Sequence, residues 1–219
     1  VFFDEMSNAA PDVQKAAQQI IHARRLGELH IPEGIVFVAA GNRQTDKAGA
    51  NRILTALANR FEHHDIESDH DDWLTWAMKA NLDHSIIAYI AWKPGSLNAF
   101  DSNRSVNPTP RTWVKVHYLM ESSFFEDRVI GTVGKGEGSE FLAHRKVWDK
   151  LPSCEKIWAD PDKVDMPKEQ SIVYATAMSL ALKATPKNFP NALKYMQKAG
   201  KEMQVLYVKY ACKADKTVR

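Results

Sequence analysis

Val1-Phe2-Phe3-Asp4-Glu5-Met6 is the stretch on which the reading of the fold turns. Three apolar residues followed by two adjacent carboxylates read as a short buried strand that ends in acids. A rigid strand fixes both carboxylates at its C-terminal edge, where open α/β sheets bind their ligands. At such a place the first acid can hold Mg²⁺, usually through water, and the second can orient or deprotonate an attacking water. The string alone is commonplace, and it gains weight only from the segments C-terminal to it. A buried strand seldom begins at the first residue of a chain, and no initiator Met or lead-in stands before Val1, so sequence upstream of it is expected.

C-terminal to this stretch, Asn8-Ala9-Ala10-Pro11-Asp12 starts a helix, because Pro and Asp suit the first turn. Val13, Ala17, Ile20 and Ile21 recur at helical spacing, and the helix is expected to run to about Arg24. Residues 26–32 alternate and carry turn formers, which predicts a short hairpin. Residues 35–40, Ile-Val-Phe-Val-Ala-Ala, form a second buried strand rich in β-branched residues and stop at Gly41-Asn42. Next come a polar loop over 43–49, a helix over 51–59 and a third, more exposed strand over 62–67. Strand, helix and strand joined by short connections predict a parallel α/β layer. From Asp71 the pattern changes. Trp73, Trp76 and Ala77 share one helical face, and Ile86, Ile87 and Ile90 share another that ends at Pro94. After a loop over 95–110, helices are expected over 111–122, 140–150, 169–184, 191–198 and 201–213. The expected fold class is α/β to about residue 70, followed by an all-α region.

Four short motifs then fall in a distinctive order: VFFDEM at 1–6, AAGN at 39–42, ANRF at 58–61 and PTPRTW at 108–113. The order and spacing resemble those of the AAA+ ATPases, and most closely the MoxR group. In that likeness VFFDEM looks like Walker B, AAGN like the end of the sensor 1 strand, ANRF like the arginine-finger motif and PTPRTW like sensor 2. The hairpin RRLGELHIP matches the insertion these proteins carry before sensor 1. The likeness covers nearly all of residues 1–120, and the helical remainder is similar to a MoxR extension in a less specific way.

The resemblance implies a partial AAA+ parallel-sheet core over 1–70, a helical lid with sensor 2 over 71–125 and a C-terminal helical extension over 126–219. It implies an ATP-hydrolysing remodelling or chaperone-like motor that uses ATP and Mg²⁺. Asp4 would bind Mg²⁺, Glu5 would activate water, and Asn42 would help to place that water against the γ-phosphate. Arg111 would reach the phosphates from the lid. Arg60 would act in the neighbouring subunit's site, where its fixed charge and planar donor fork suit the transition state. For Arg60 and Arg111 an ordinary ion pair is the other reading. Arg43 and Arg52 are nearby cations with at most a subunit contact to make. A hexameric ring and a client protein, or a partner with a von Willebrand factor A domain, are implied in the same way.

One departure stands out. The phosphate-binding loop needs G-x-x-x-x-G-K-[ST]. The nearest string, Gly131-Thr132-Val133-Gly134-Lys135-Gly136, has Val129 where the first Gly belongs and Gly136 where Ser or Thr belongs. It reads as a flexible loop, so residues 1–219 are expected not to turn over ATP alone. The alternative is a non-enzymatic binding or assembly module.

Composition excludes several classes. The 219 residues are 44% apolar and 26% charged, ordinary for a globular protein with a real core. No apolar run is long enough to span a bilayer and no signal peptide is visible. Cys154 and Cys212 stand far apart without metal-ligand spacing, which fits a reducing cytoplasm. His63, His64 and His70 lie among Asp65, Asp69, Asp71 and Asp72, yet consecutive His on a strand face opposite ways and no HExxH or Cys partner accompanies them. The six Trp residues sit mostly at apolar helical positions and read as packing residues. Residues 183–219 hold nine basic and two acidic residues. That tail suits nucleic acid or an acidic partner; without aromatic-basic interleaving, a solvated helical face is the plainer reading and nucleic acid is not expected.

Overall fold

The structure, a computed structural model, describes residues 1–42, 53–101 and 103–218. The described residues are mostly helical, with one small parallel strand pair. They form two compact units, Val1–Glu67 and Ser68–Arg219.

In the first unit, β1 (Phe2–Phe3) and β4 (Val38–Ala39) run parallel, with Phe2 opposite Val38 and Phe3 opposite Ala39. Pairing extends past the strands, since the Met6 amide donates to the Ala40 carbonyl at 2.9 Å. Between them come α1 (Pro11–Ala23) and a hairpin of β2 (Arg25–Leu26) and β3 (Leu29–His30). Pro11 opens α1 because its missing N–H is one the first turn leaves unpaired anyway. α2 (Thr55–Ala58) is a single turn packed on α1. Gln14, fully buried in α1, joins the two: its amide donates to the Ala9 carbonyl and its oxygen accepts the Leu54 N–H.

The core of this unit is small. Met6, Ala17 and Leu57 are buried, with Phe3, Ile21 and Ala39 packed against them. The period-2 alternation of a strand assigns Phe3 and Ala39 to that core and Phe2 and Val38 to the opposite face. Phe2 is 60% exposed and Val38 52%. The expectation that both strands are buried is thereby corrected. A strand is buried only when both faces are covered, and the described helices of this unit pack on one. The third strand expected over 62–67 does not form either: the segment is exposed, with Ile66 its only apolar side chain and no face to bury. The residues expected as a loop over 43–49 and the start of the helix at 51–52, with Arg43 and Arg52, lie outside the described residues.

The second unit is all helical: α3 (His70–Lys79), α4 (His84–Trp92), α5 (Pro110–Tyr118), α6 (Phe125–Val133), α7 (Lys135–Trp148), α8 (Cys154–Ala159), α9 (Gln170–Leu182), α10 (Phe189–Gln197) and α11 (Lys201–Ala214). Side-chain caps set several starts. Asp69 accepts the Asp72 N–H before α3, Asp83 accepts the Ser85 N–H before α4, and Thr109 and Thr112 form a reciprocal capping box at α5. α4 and α9 are apolar on nearly every side and lie in the middle of the unit, as such helices must. α9 carries α11 on one side and α4 and α7 on others. One apolar core runs through the unit and joins residues on both sides of position 125, among them Trp113, Val116, Val129, Phe141, Met178 and Tyr207.

Two helices, α6 and α8, go beyond the sequence expectation, and α7 begins at Lys135 rather than Glu140. The string Gly131–Gly136, expected as a flexible loop, is instead the junction of α6 and α7. Gly134 makes the turn at φ 89°, in a region glycine favours, and a Cβ there would stand 3.2 Å from the Val106 carbonyl oxygen. No helix among the described residues is long and apolar enough to cross a membrane.

Candidate functional site

The C-terminal ends of the parallel pair carry the site. β1 delivers Asp4 and Glu5, and β4 delivers Gly41 and Asn42 beside them. Because the strands are parallel and adjacent, both ends lie at the same edge, which no antiparallel hairpin would achieve. Asp4 and Glu5 are exposed there. Asp4 Oδ1 accepts the Glu5 N–H at 3.0 Å. The Glu5 carboxylate is held across the strands: Asn42 Nδ2 donates to Glu5 Oε2 at 3.3 Å. From its own side, Asn8 Nδ2 donates to the same oxygen at 2.7 Å.

Backbone geometry supports this convergence. Glu5 has φ 52° and ψ 36°, the left-handed region that a non-glycine residue seldom enters. That conformation ends β1 abruptly and starts a 3-10 turn at Met6–Asn8. Strained residues of this kind persist only where neighbours over-determine them, and they gather at functional sites. The neighbours here are identifiable. Ser7, 1% exposed, accepts the Asn42 backbone N–H on its Oγ at 2.9 Å. Gly41 lies against Ser7 so closely that a Cβ would be 2.7 Å from Ser7 Oγ. Residue 41 must therefore be glycine for the strand end and the turn to meet.

The remaining candidates stand elsewhere. Arg60 is exposed just past the end of α2, and its guanidinium donates to the Ala56 carbonyl of its own turn. Arg111 is exposed in the first turn of α5, in the second unit, and makes no hydrogen bond or ion pair among the described residues. The three histidines go to different partners: His63 bonds the Ala58 carbonyl, His64 pairs with Glu62, and His70 bonds the Ile90 carbonyl and lies 3.6 Å from Asp71. No group of three or more His, Cys, Asp or Glu side chains is arranged to hold a metal ion among the described residues.

Several charges of the basic C-terminal region are paired within the second unit. Lys194 pairs with Asp162, Lys198 donates to the carbonyls of Pro161, Asp162 and Val164, and Lys213 pairs with Asp71. The Lys213 ammonium, through its hydrogen bond, holds the Asp71 carboxyl below the usual carboxylate range. Of the tryptophans, Trp73 and Trp113 are buried, while Trp76 and Trp92 stand about half exposed. Trp92 stacks on His144, whose ring also meets Tyr89 and Trp148. Both His144 ring nitrogens are buried without a partner, and burial pushes its pKa down to about 4.

The sequence singles out Asp4, Glu5 and Asn42 but gives no comparable prominence to Ser7, Asn8 and Gly41. The signal that could have found them is local: a glycine directly before a polar amide at a strand end marks a close backbone approach. No family model, curated protein or solved structure matches this chain.

Proposed function

We propose that the chain belongs to an ATP-hydrolysing remodelling motor of the MoxR group of AAA+ proteins, with the acid pair in the first unit and the helical lid and extension in the second. The observation that carries this reading is the bond from Asn42 Nδ2 to Glu5 Oε2 across two parallel strands, beside Asp4. Two carboxylates and a polar amide at one sheet edge suit the holding of Mg²⁺ and the placing of an attacking water, one part of what hydrolysis of a phosphoanhydride requires.

In this reading Glu5 takes a proton from a water whose oxygen attacks the γ-phosphorus. The bond from that phosphorus to the β-γ bridging oxygen breaks, and ADP and phosphate leave. Asn42 orients the water and Glu5 together. Asp4, an exposed strand-end carboxylate, would be the residue that holds Mg²⁺. Bound there, Mg²⁺ would neutralise phosphate charge. Arg60 would serve a neighbouring subunit of a ring, and Arg111 the nucleotide of its own subunit. The exposure of both guanidiniums is compatible with these roles.

The test is Glu5→Gln in the complete polypeptide. The amide keeps the shape and removes the base, so ATP turnover is expected to fall about 10²–10⁴-fold while nucleotide affinity is kept. Unchanged turnover would refute the acid-pair assignment. Residues 1–219 purified alone are expected to give no turnover, since they contain no G-x-x-x-x-G-K-[ST].

A second reading, a non-enzymatic assembly module, draws on one observation. Phe2, Val36 and Val38 leave an apolar face of the strand pair uncovered. ATP turnover lost in Glu5→Gln separates the two readings.

A further inference from the structure

We infer that Ser7 and Asn8 are positioning residues for Glu5, acting as a two-part latch built into the turn that succeeds β1. This inference rests on the ATP-hydrolysis reading and names residues that reading does not use.

Two amides converge on a single oxygen. Glu5 Oε2 accepts from Asn8 Nδ2 at 2.7 Å and from Asn42 Nδ2 at 3.3 Å. A carboxylate free to turn about its last bond presents either oxygen to a water. With Oε2 committed to two amides, the proton-accepting role falls to Oε1, to which no described residue donates. Orientation of this kind is where much of the catalytic advantage of a fixed base lies.

Asn8 by itself has a plain local explanation. It stands three residues after Glu5, and its own backbone N–H donates to the Glu5 carbonyl at 2.8 Å, so its side chain could simply finish the turn. Ser7 points to more. Ser7 Oγ accepts the backbone N–H of Asn42, 35 residues later, and does so from a buried position. It therefore fixes the residue whose side chain provides the second donor to Oε2. The Met6 amide on the Ala40 carbonyl, and Gly41 pressed against Ser7, hold the same two segments together. The turn thus reaches Glu5 directly through Asn8 and indirectly through Ser7 and Asn42, and both routes end on one atom.

Steady-state kinetics of the complete polypeptide, read as a double-mutant cycle, tests this. Asn8→Ala, which removes one hydrogen bond to a charged group, and Ser7→Ala, which removes the bond that places Asn42, are each expected to lower kcat for ATP about tenfold, with KM nearly unchanged. In a Glu5→Gln background neither is expected to lower kcat further by more than about twofold, since the group they position is gone. A loss of the same size in both backgrounds marks a merely structural role and overturns the proposal. Amide hydrogen exchange supplies the second measurement. Ser7→Ala should speed exchange at Asn42 and leave Ala40, which bonds the Phe3 carbonyl, unaltered. Unchanged exchange at Asn42 also overturns the latch. If Glu5→Gln leaves turnover intact, the acid-pair reading has failed and the positioning claim with it. That result is distinct from an inactive Glu5→Gln beside fully active Ser7→Ala and Asn8→Ala, which sinks the latch alone.

Discussion

The two units of this chain solve the problem of burial differently. In the second, α4 and α9 are enclosed by other helices, and one apolar core joins nearly every element. In the first, a three-residue buried centre supports a two-stranded pair whose other face leaves Phe2 and Val38 exposed. Yet the first unit has the strained Glu5 backbone, the paired acids and the convergent amides. The candidate chemistry sits on the thinly packed unit and bulk stability on the other. A few specific hydrogen bonds, rather than buried area, hold Glu5 in place.

The largest expected effect tests that asymmetry. Trp113 is fully buried and its Nε1 donates to the Ser96 carbonyl at 2.7 Å. Trp113→Ala is expected to cost about 3–5 kcal/mol, read as a shifted urea midpoint of the second unit. In the same sample, native-state hydrogen exchange should show amides of the first unit opening at lower free energy than those of α4 and α9. Equal opening energies would break the contrast.

A smaller effect is set by pH and belongs to the second unit. His144 is held neutral among Trp92, Tyr89 and Trp148, with its pKa pushed down to about 4. An unfolded histidine titrates near 6.5, so between these values the unfolded chain binds the extra proton. The stability contribution is therefore complete above about pH 6.5 and is lost as pH falls towards 4. We expect about 3 kcal/mol over that window. His144→Phe keeps an apolar ring and should flatten the profile. An unchanged acid slope would remove His144 as its source.

The smallest effect sharpens the account of the first unit. Gly41→Ala drives a Cβ to within 2.7 Å of Ser7 Oγ, and the strand end or the turn must move. A local cost of about 1–3 kcal/mol is expected. It should appear as faster amide exchange at Met6 and Asn42 while the second unit keeps its midpoint. If Met6 and Asn42 remain protected, the close approach is not a constraint.

Much of the fold is legible in the sequence. Helix α1 is readable because Pro11 and Asp12 mark its start and Ala17 and Ile21 repeat on one face. Helices α9, α10 and α11 declare themselves by apolar spacing and length. The hairpin at 25–30 is marked by Gly27 between alternating residues. Helices α6 and α8 escape such a reading because α6 comes after a run of Ser and Phe with Phe124 in a left-handed conformation, and α8 has only six residues. The junction at Gly134 misleads because three glycines within six residues signal freedom locally, whereas packing of Val106 on Gly134 takes it away.

At the site the division is finer. Sequence alone determined which residues are candidates for chemistry: a carboxylate pair after an apolar run, an amide after another, and arginines in a recognisable order. It determined the periodicities that make one part strand and helix and the rest helix. Tertiary structure decided which of those groups meet. Parallel pairing of β1 with β4 brought Asn42 to Glu5 across 37 residues, and a buried Ser7 fixed the approach. It also decided which apolar residues are covered, since burial depends on what packs against a face and not on the hydrophobicity of the face itself. The physical reason is range: helix and strand periodicity is written into neighbouring residues, while a hydrogen bond between distant segments exists only once packing has set their distance to a few tenths of an ångström.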